Sequence, residues 1–214
     1  MLAYFGTPSL PEHLREVPLE YFGTAFRWLA AQDQVVPDDY ELIGGSRGGE
    51  LALLVASRDP QVRAVVAIDP SSVLFPSPPT GVFDAIGRHH AAWTQNGQAL
   101  PFVQVPLSFA AISGLIAGKQ RGMLELALAK GLAADDAAIP VERINGPLLC
   151  ISNLRDEIWP SSVMCDQTED RLSRRAHRFA FERISFDETH YTCRVETCWA
   201  TILRFLDQHF GSAP

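Results

Sequence analysis

The stretch that decides the fold of this chain is Ile43-Gly44-Gly45-Ser46-Arg47-Gly48-Gly49-Glu50. The apolar segment Tyr40–Gly44 leads into it and predicts a strand, and the apolar segment Leu51–Ser57 after it predicts a helix. A serine with glycines two residues to either side is the pattern of a nucleophile elbow, a sharp turn that presents a reactive hydroxyl. Glycine is expected at both flanking positions because a side chain there would collide with neighbouring backbone. Ser46 is therefore the candidate nucleophile, and the backbone N–H of Arg47 is a candidate oxyanion donor.

The segments around this stretch continue the alternation of strands and helices. Val62–Ile68 is rich in β-branched residues, which predicts a strand buried on both faces and completes a strand–helix–strand unit. Further strands are predicted at Leu2–Phe5, Pro147–Ser152 and His177–Phe186, and helices at Leu19–Ala31, Gly122–Leu132, Ser161–Arg175 and Val195–Phe210. The predicted fold class is α/β, with a mostly parallel sheet flanked by helices.

The length of 214 residues fits one domain spanning residues 1–214. Residues 70–135 are rich in proline and glycine, and few elements can be assigned there. We expect this region to form an irregular, cap-like excursion that partly covers the site.

Composition and charge exclude several classes of function. The formal net charge of −7 argues against a nucleic-acid binder or a membrane-surface binder, both of which need a basic face. No apolar stretch reaches the ~18 residues of a membrane span, and no signal peptide is visible. The four cysteines form no CxxC pair, which favours a reducing, cytoplasmic location. No metal-ligand spacing and no phosphate loop is present, so neither a metal nor a cofactor is predicted.

An acid and a base for Ser46 are expected after later strands, because catalytic groups gather at the carboxyl ends of parallel strands. Asp156 follows the predicted strand at Pro147–Ser152, with Glu157 as the adjacent alternative, and His190 follows the strand that ends at Phe186. The order Ser, Asp, His is that of the α/β-hydrolase fold. The three residues predict nucleophilic acyl transfer, in which His190 is the base and Asp156 orients it.

The sequence resembles one hydrolase group, the acyl-CoA thioesterase / bile acid-CoA:amino acid N-acyltransferase family, in its C-terminal catalytic domain. The stretches that carry this resemblance are Ser46-Arg47-Gly48-Gly49-Glu50-Leu51, Ala3-Tyr4-Phe5, Leu10-Pro11, Pro18-Leu19-Glu20-Tyr21-Phe22, Ile139-Pro140-Val141-Glu142 and Ile158-Trp159-Pro160-Ser161-Ser162. The resemblance runs from Leu2 to the end of the chain and is weakest between about Val73 and Leu132.

The resemblance implies an α/β-hydrolase domain, similar to dienelactone hydrolases, with Ser46, Asp156 and His190 as its catalytic residues. It implies hydrolysis of acyl-CoA thioesters or transfer of the acyl group to an amino acid. Because the transferase branch of the family tends to carry cysteine as the nucleophile, Ser46 favours hydrolysis. The expected partner is a small-molecule acyl thioester or ester substrate.

The sequence departs from the family pattern in three respects. We expect the fold to be N-terminally truncated relative to the family, without its N-terminal domain and the first strands of the hydrolase sheet, and with an open edge beside the strand of Ser46. A homodimer could cover this edge, and the loop Phe5-Gly6-Thr7 could supply the second oxyanion donor through Gly6. Thr189 stands where the family usually has glycine before its histidine.

Candidate substrate-binding residues are the cations Arg88 and His89, with Arg47, His90 and Arg155 as further candidates for a coenzyme A substrate, and Trp159 beside the acid. Two alternatives to a thioesterase remain open. One is a small-ester carboxylesterase similar to dienelactone hydrolases. The other is a non-catalytic hydrolase-fold protein without a complete oxyanion hole.

Overall fold

The computed structural model describes residues 1–81, 84, 89–105, 119–129, 135–190 and 196–209. The chain divides into two compact units. We call the first the small unit (Met1–Val35, Val73–Ala117 and Gly122–Ala138) and the second the sheet unit (Val36–Ser72, Gly118–Arg121 and Ile139–Pro214). The expectation that residues 1–214 form a single domain remains a prediction.

The described strands are β1 (Val17–Pro18), β2 (Tyr40–Gly45), β3 (Val62–Ile68), β4 (Trp93–Gln95), β5 (Gln98–Ala99), β6 (Leu148–Asn153) and β7 (Phe181–Phe186). The described α-helices are α1 (Glu20–Ala30), α2 (Arg47–Ala56), α3 (Arg121–Ala129), α4 (Ser161–Arg174) and α5 (Glu196–His209). These elements confirm the predicted helices and all the predicted strands but one, with ends that differ by a few residues. Residues 130–132 of the helix predicted at Gly122–Leu132, and residues 195 and 210 at the ends of the helix predicted at Val195–Phe210, lie outside the described residues.

The sheet unit contains four strands in the order β2-β3-β6-β7, and every pair is parallel. In register, Ile43 faces Val66, and Val66 faces Leu149. Both central strands are buried along nearly their whole length, as expected for parallel strands covered on both faces. Among the described residues β2 pairs with β3 alone, so β2 is an edge strand and Ile43 is 44% exposed.

One face of this sheet is covered by α5. Its apolar residues Cys198, Ile202 and Phe205 form a buried cluster with Val66 and Ile68 of β3, and with Leu149 and Ile151 of β6. One stripe of the helix is therefore inward, with Ile202 buried and Leu206 packed against the cluster. Trp199 and Leu203, which the apolar spacing also places on the inward face, are instead 45% and 59% exposed. The described cysteines Cys150, Cys165 and Cys198 are buried.

The small unit holds a three-stranded sheet in the order β1-β4-β5. β4 and β5 form a hairpin whose turn is Asn96-Gly97, both at positive φ (51° and 71°), which is the residue pair that a two-residue turn of this kind favours. This hairpin lies within residues 70–135, where no strand was predicted, whereas α3 is the helix predicted at Gly122–Leu132.

The prediction of a strand at Leu2–Phe5 is wrong. This segment forms no described ladder, and most of it is exposed. It is held instead through the Tyr4 ring, which contacts Phe22 and Trp93, and through the Ala3 carbonyl, which accepts a 2.7 Å hydrogen bond from the Tyr21 hydroxyl. The apolar residues of this segment pack as aromatic rings against the small unit. A short apolar run of this kind has the same sequence pattern as a short strand, so the sequence does not distinguish the two.

Within the described residues no helix has the length and apolar character needed to cross a membrane.

Candidate active site

Ser46 occupies the turn between β2 and α2 and has a strained backbone, with φ +54° and ψ −120°. A non-glycine residue adopts such a conformation only where the surroundings enforce it. Here the Ser46 N–H donates to the Ile68 carbonyl at 2.8 Å, and the Ser46 carbonyl accepts from the N–H groups of Gly49 and Glu50 at 2.9 and 3.1 Å. These bonds fix the turn to β3 on one side and to the first turn of α2 on the other.

The two glycines that flank Ser46 in the motif have different roles. A Cβ at Gly44 would lie 2.0 Å from the Gly48 carbonyl oxygen, so the close approach of β2 and α2 requires glycine there. A Cβ at Gly48 would meet nothing within 4 Å. The expectation of a collision at both positions is therefore wrong for Gly48, because its Cα faces open space. Gly49 is the second tight position, since a Cβ there would lie 3.0 Å from the Ile68 carbonyl oxygen.

The structure brings Ser46, His190 and Asp156 together within the sheet unit. Ser46 Oγ lies 2.8 Å from His190 Nε2, and His190 Nδ1 lies 2.7 Å from Asp156 Oδ2. A carboxylate accepts hydrogen bonds, so Nδ1 carries the proton and Nε2 is left to accept the serine proton. Asp156 is 1% exposed and His190 is 9% exposed, so water competes little with either bond.

Asp156 is held by its own loop. Its Oδ1 accepts hydrogen bonds from the N–H groups of Ile158 and Trp159, both at 2.9 Å, and its Oδ2 also accepts from the Ser161 hydroxyl at 3.2 Å. Glu157, the alternative acid, is 62% exposed and pairs with Lys119 at 3.6 Å. The local hydrogen bonds therefore select Asp156 as the acid that faces the histidine.

The loops that carry the acid and the histidine are tied to each other. Leu154 N–H donates to the Phe186 carbonyl at 2.9 Å, and Arg155 N–H donates to the Glu188 carbonyl at 3.0 Å. The Arg155 side chain forms ion pairs with Asp187 and Glu188. The positive charge of Arg155 is thus already paired with carboxylates of the histidine loop. This makes Arg155 a poorer candidate for binding the phosphates of coenzyme A than an unpaired arginine would be.

Sequence reasoning missed a second buried carboxyl in this site, Asp69, which directly follows β3. Asp69 is 1% exposed and has φ +46°. Its Oδ1 and Oδ2 accept hydrogen bonds from the side-chain amide nitrogen of Asn153, at 2.9 and 2.7 Å. Burial, and then the charge of Asp156, raises the pKa of Asp69 to about 6, against the opposing influence of His190 and of hydrogen bonds from Ser161 and Asn153. An acid directly after a buried strand beside the nucleophile strand was the signal that could have found it.

Asp69, Asp156 and His190 each place one potential metal-ligand atom within 4.8 Å of the others. However, Asp156 already accepts hydrogen bonds at both oxygens, and His190 Nδ1 is bonded to it. Because these protein hydrogen bonds occupy the atoms that a metal would need, the arrangement suits proton transfer better than metal binding.

Arg47, which follows Ser46, and Trp159, on the loop of Asp156, pack around the catalytic residues. Arg47 pairs with the fully buried Glu50 at 2.7 Å, and its guanidinium lies 6.0 Å from the centre of the Trp159 ring. Trp159 is 6% exposed and its indole N–H donates to the Pro70 carbonyl at 3.1 Å. Trp159, which we expected to bind substrate, therefore offers little surface to a ligand and instead packs the acid loop against the elbow.

Gly6, Arg88 and His89 are the remaining predicted residues. Gly6 belongs to the small unit, and its N–H donates to the Pro11 carbonyl at 2.8 Å, so the donor expected for an oxyanion is engaged in its own loop. Arg88 lies outside the described residues. His89 is a half-buried residue of the small unit, and burial lowers its pKa, which favours a neutral ring over the cation that we expected.

A parallel sheet with a serine at a strained strand–helix turn gives this chain the α/β-hydrolase fold, which it shares with solved esterases and peptidases. Residues 17–194 match the family described as BAAT / acyl-CoA thioester hydrolase C terminal, and the chain belongs to this family. The resemblance seen in the sequence is thereby confirmed.

Relatives with curated descriptions include a peroxisomal succinyl-coenzyme A thioesterase of Mus musculus, 26% identical over 176 residues, with 80% of this chain and 37% of the relative covered. Another is the acyl-coenzyme A amino acid N-acyltransferase 1 of Mus musculus, 29% identical over 173 residues, with 81% and 37% covered. The chain thus spans about a third of the length of these relatives. A puromycin-hydrolysing peptidase of Mycobacterium tuberculosis superimposes with a TM-score of 0.56 at 16% identity, covering 92% of this chain and 26% of that one.

Proposed function

We propose that this protein is a serine hydrolase that cleaves acyl thioesters through an acyl-enzyme intermediate on Ser46. The observation that carries the proposal is the continuous hydrogen-bonded path from Ser46 Oγ through the His190 ring to Asp156, with both bonds between 2.7 and 2.8 Å. A nucleophile, a base and an orienting acid within hydrogen-bond reach of one another are the components of this mechanism.

In the first half of the reaction, Ser46 Oγ attacks the carbonyl carbon of the thioester while its proton moves to His190 Nε2. Asp156 keeps the Nδ1 proton of the ring in place and stabilises the imidazolium that forms. The tetrahedral intermediate collapses, the thiolate leaves, and the imidazolium returns the proton to its sulfur. Water then attacks the acyl carbon while His190 takes a proton from it, and the imidazolium returns that proton to Ser46 Oγ as the acid leaves.

The oxyanion of the tetrahedral intermediate needs donors beside Ser46. Arg47 is the first residue of α2, and N–H groups at the start of a helix point out of its end, where the helix dipole favours negative charge. The N–H of Ser46 itself already donates to Ile68. We therefore assign the Arg47 N–H, and not that of Ser46, to the oxyanion.

A thioester substrate is proposed from the family, because its curated members include coenzyme A thioesterases as well as an N-acyltransferase. A small ester is the second candidate, since several solved structures that share the fold are esterases. The triad attacks a carbonyl carbon in either case, and the two candidates differ in whether sulfur or oxygen leaves.

The test is hydrolysis of acyl-CoAs of increasing chain length, followed through the free thiol released, beside hydrolysis of p-nitrophenyl acetate. We expect turnover that Ser46→Ala lowers by at least about 10³-fold. Ser173→Ala, an exposed serine on α4 of the same unit, is the matched control and should keep full activity. Faster cleavage of the ester than of every thioester would favour the esterase alternative. Equal rates for Ser46→Ala and the unsubstituted protein would remove the proposal.

A further inference from the structure

Asp69 is a buried acid that the mechanism above does not use. Its carboxyl is almost inaccessible to solvent, and one of its oxygens lies within 4.8 Å of an imidazole nitrogen of His190 and of a carboxyl oxygen of Asp156. Burying a carboxyl costs free energy unless neighbouring groups compensate it. Because its burial is costly, we infer that Asp69 has a role other than filling space in the core.

The surroundings of Asp69 show what it can act on. The titratable groups that face it are Asp156, from the loop after β6, and His190, from the loop after β7. The neutral donors that face it are Asn153, at the end of β6, and Ser161, at the start of α4. His190 is therefore the only one of these four side chains that can become a cation.

We propose that Asp69 is a positioning residue whose negative charge, next to that of Asp156, stabilises the imidazolium of His190 during acyl transfer. The proposal rests on the function proposed above. Asp156 holds the ring through a direct hydrogen bond, whereas Asp69 acts through space and is kept in place by the Asn153 amide. No bond to Asp69 forms or breaks, and protons still move only between His190 Nε2 and Ser46 Oγ, the leaving sulfur or the attacking water.

The charge balance explains the effect. If Asp69 is ionised, the net charge of the Asp69, Asp156 and His190 side chains changes from −2 to −1 when the Ser46 proton reaches His190. If Asp69 is protonated, the imidazolium faces a single carboxylate. The second anion therefore favours the protonated ring, both in the resting enzyme at low pH and in the transition state.

This arrangement also predicts a coupled pH response. Because the pKa of Asp69 is raised to about 6, its charge is lost in the same pH range in which an imidazole titrates. The acid limb of the pH–rate profile then belongs to both groups, and a single-proton curve does not fit it.

The test compares Asp69→Asn with the unsubstituted protein. The asparagine removes the charge and keeps an oxygen that can accept from Asn153. Asp170→Asn, on an exposed position of α4, controls for the loss of one negative charge. The first readout is the rate at which a fluorophosphonate labels Ser46 between pH 4 and 9. The second is the NMR titration of the His190 ring, assigned with His190→Asn, which requires no activity.

We expect Asp69→Asn to move the midpoint of both curves to lower pH by roughly 0.6 to 2.4, the range for two charges about 5 Å apart between effective dielectric constants of about 80 and about 20. We also expect the acid limb to become a single-proton curve and the plateau labelling rate to fall about 10-fold, whereas Asp170→Asn changes none of these. A purely structural role would alter stability and leave the midpoints in place.

The two proposals fail in different ways. Absence of labelling in the unsubstituted protein would defeat the hydrolase function, yet the ring titration would still report on Asp69. Labelling with a pH profile and a ring titration that are unchanged in Asp69→Asn would overturn the inference alone. If Asp69→Asn does not fold, Asp69→Ser, which is smaller and also uncharged, is measured in its place with the same expected shift.

Discussion

Gly44 and Gly48 stand symmetrically around Ser46 in the sequence, yet the structure gives them opposite sensitivity to a methyl group. In Gly44→Ala the new carbon would lie 2.0 Å from the Gly48 carbonyl oxygen and 2.9 Å from the Gly49 nitrogen. All of these are backbone atoms of the elbow, so no side chain can rotate away. We predict that Gly44→Ala disrupts the elbow and that Gly48→Ala leaves it intact.

The expected loss of stability in Gly44→Ala follows from the overlap between the new Cβ and the Gly48 carbonyl oxygen. Non-bonded atoms pack at about 3.5 Å, so the Gly48 carbonyl at 2.0 Å would have to withdraw by about 1.5 Å. Overpacking of this kind costs about 1–3 kcal/mol, and a rigid backbone places Gly44→Ala at the upper end. For a chain of this length, about 3 kcal/mol corresponds to a fall in Tm of about 6–12 °C. A shift of about 1 Å at the nucleophile also lowers its reactivity by about 10²-fold.

Gly48→Ala is the matched control, since the same methyl group enters the same motif four residues away. Glycine within a helix is less stable than alanine by about 0.5–1 kcal/mol, so this variant should melt at the same temperature or about 1–4 °C higher. The assay is thermal unfolding of both variants together with the rate of fluorophosphonate labelling. Equal melting temperatures and equal labelling rates for the two variants would refute the assignment of the elbow geometry.

Two further predictions concern the acids of the site. Asp156→Asn removes the charge that orients His190, and thioester turnover should fall by about 10⁴-fold while thermal unfolding still shows a folded protein. The raised pKa of Asp69 means that the folded state holds this proton more tightly than the unfolded chain does. The stability that it contributes is present below about pH 4 and is lost as the pH rises through about 6. A rise in the pKa from 3.8 to about 6 corresponds to about 3 kcal/mol. Urea unfolding at pH 4 to 7 should show this decline in the unsubstituted protein and not in Asp69→Asn.

Each of these predictions has a clear opposite result. Turnover within about threefold of the unsubstituted protein in Asp156→Asn would show that the carboxylate does not orient the base. A difference in unfolding free energy between Asp69→Asn and the unsubstituted protein that stays constant from pH 4 to 7 would show that Asp69 titrates normally.

The fold was accessible from the sequence because its signals are local. Alternating strands and helices predicted the parallel sheet, and the glycine pattern marked the turn that carries Ser46. Parallel strands end at one edge of the sheet, so the loops after β6 and β7 were expected to meet. The structure places Asp156 and His190 there, within hydrogen-bond distance of each other.

What the sequence could not give depends on partners that lie far apart in the chain. The apolar residues before Gly6 pack a ring against Trp93, about ninety positions later, rather than forming a strand. The sequence position of Trp159 beside the acid suggested a ligand-binding aromatic, but its burial depends on Pro70, whose carbonyl accepts a hydrogen bond from the indole N–H. Asp69 gained its significance only from Asn153, Asp156 and His190, none of which is near it in sequence.

The central claim, that Ser46 is a nucleophile activated by His190, is tested most directly by locating a fluorophosphonate adduct. Trypsin cleaves after Arg27 and Arg47, and residues 28–47 contain Ser46 as their only serine, with no threonine or cysteine. Mass spectrometry of this peptide should show the adduct in the unsubstituted protein and none in His190→Ala after the same exposure. An unmodified peptide, or one modified equally in both proteins, would contradict the account.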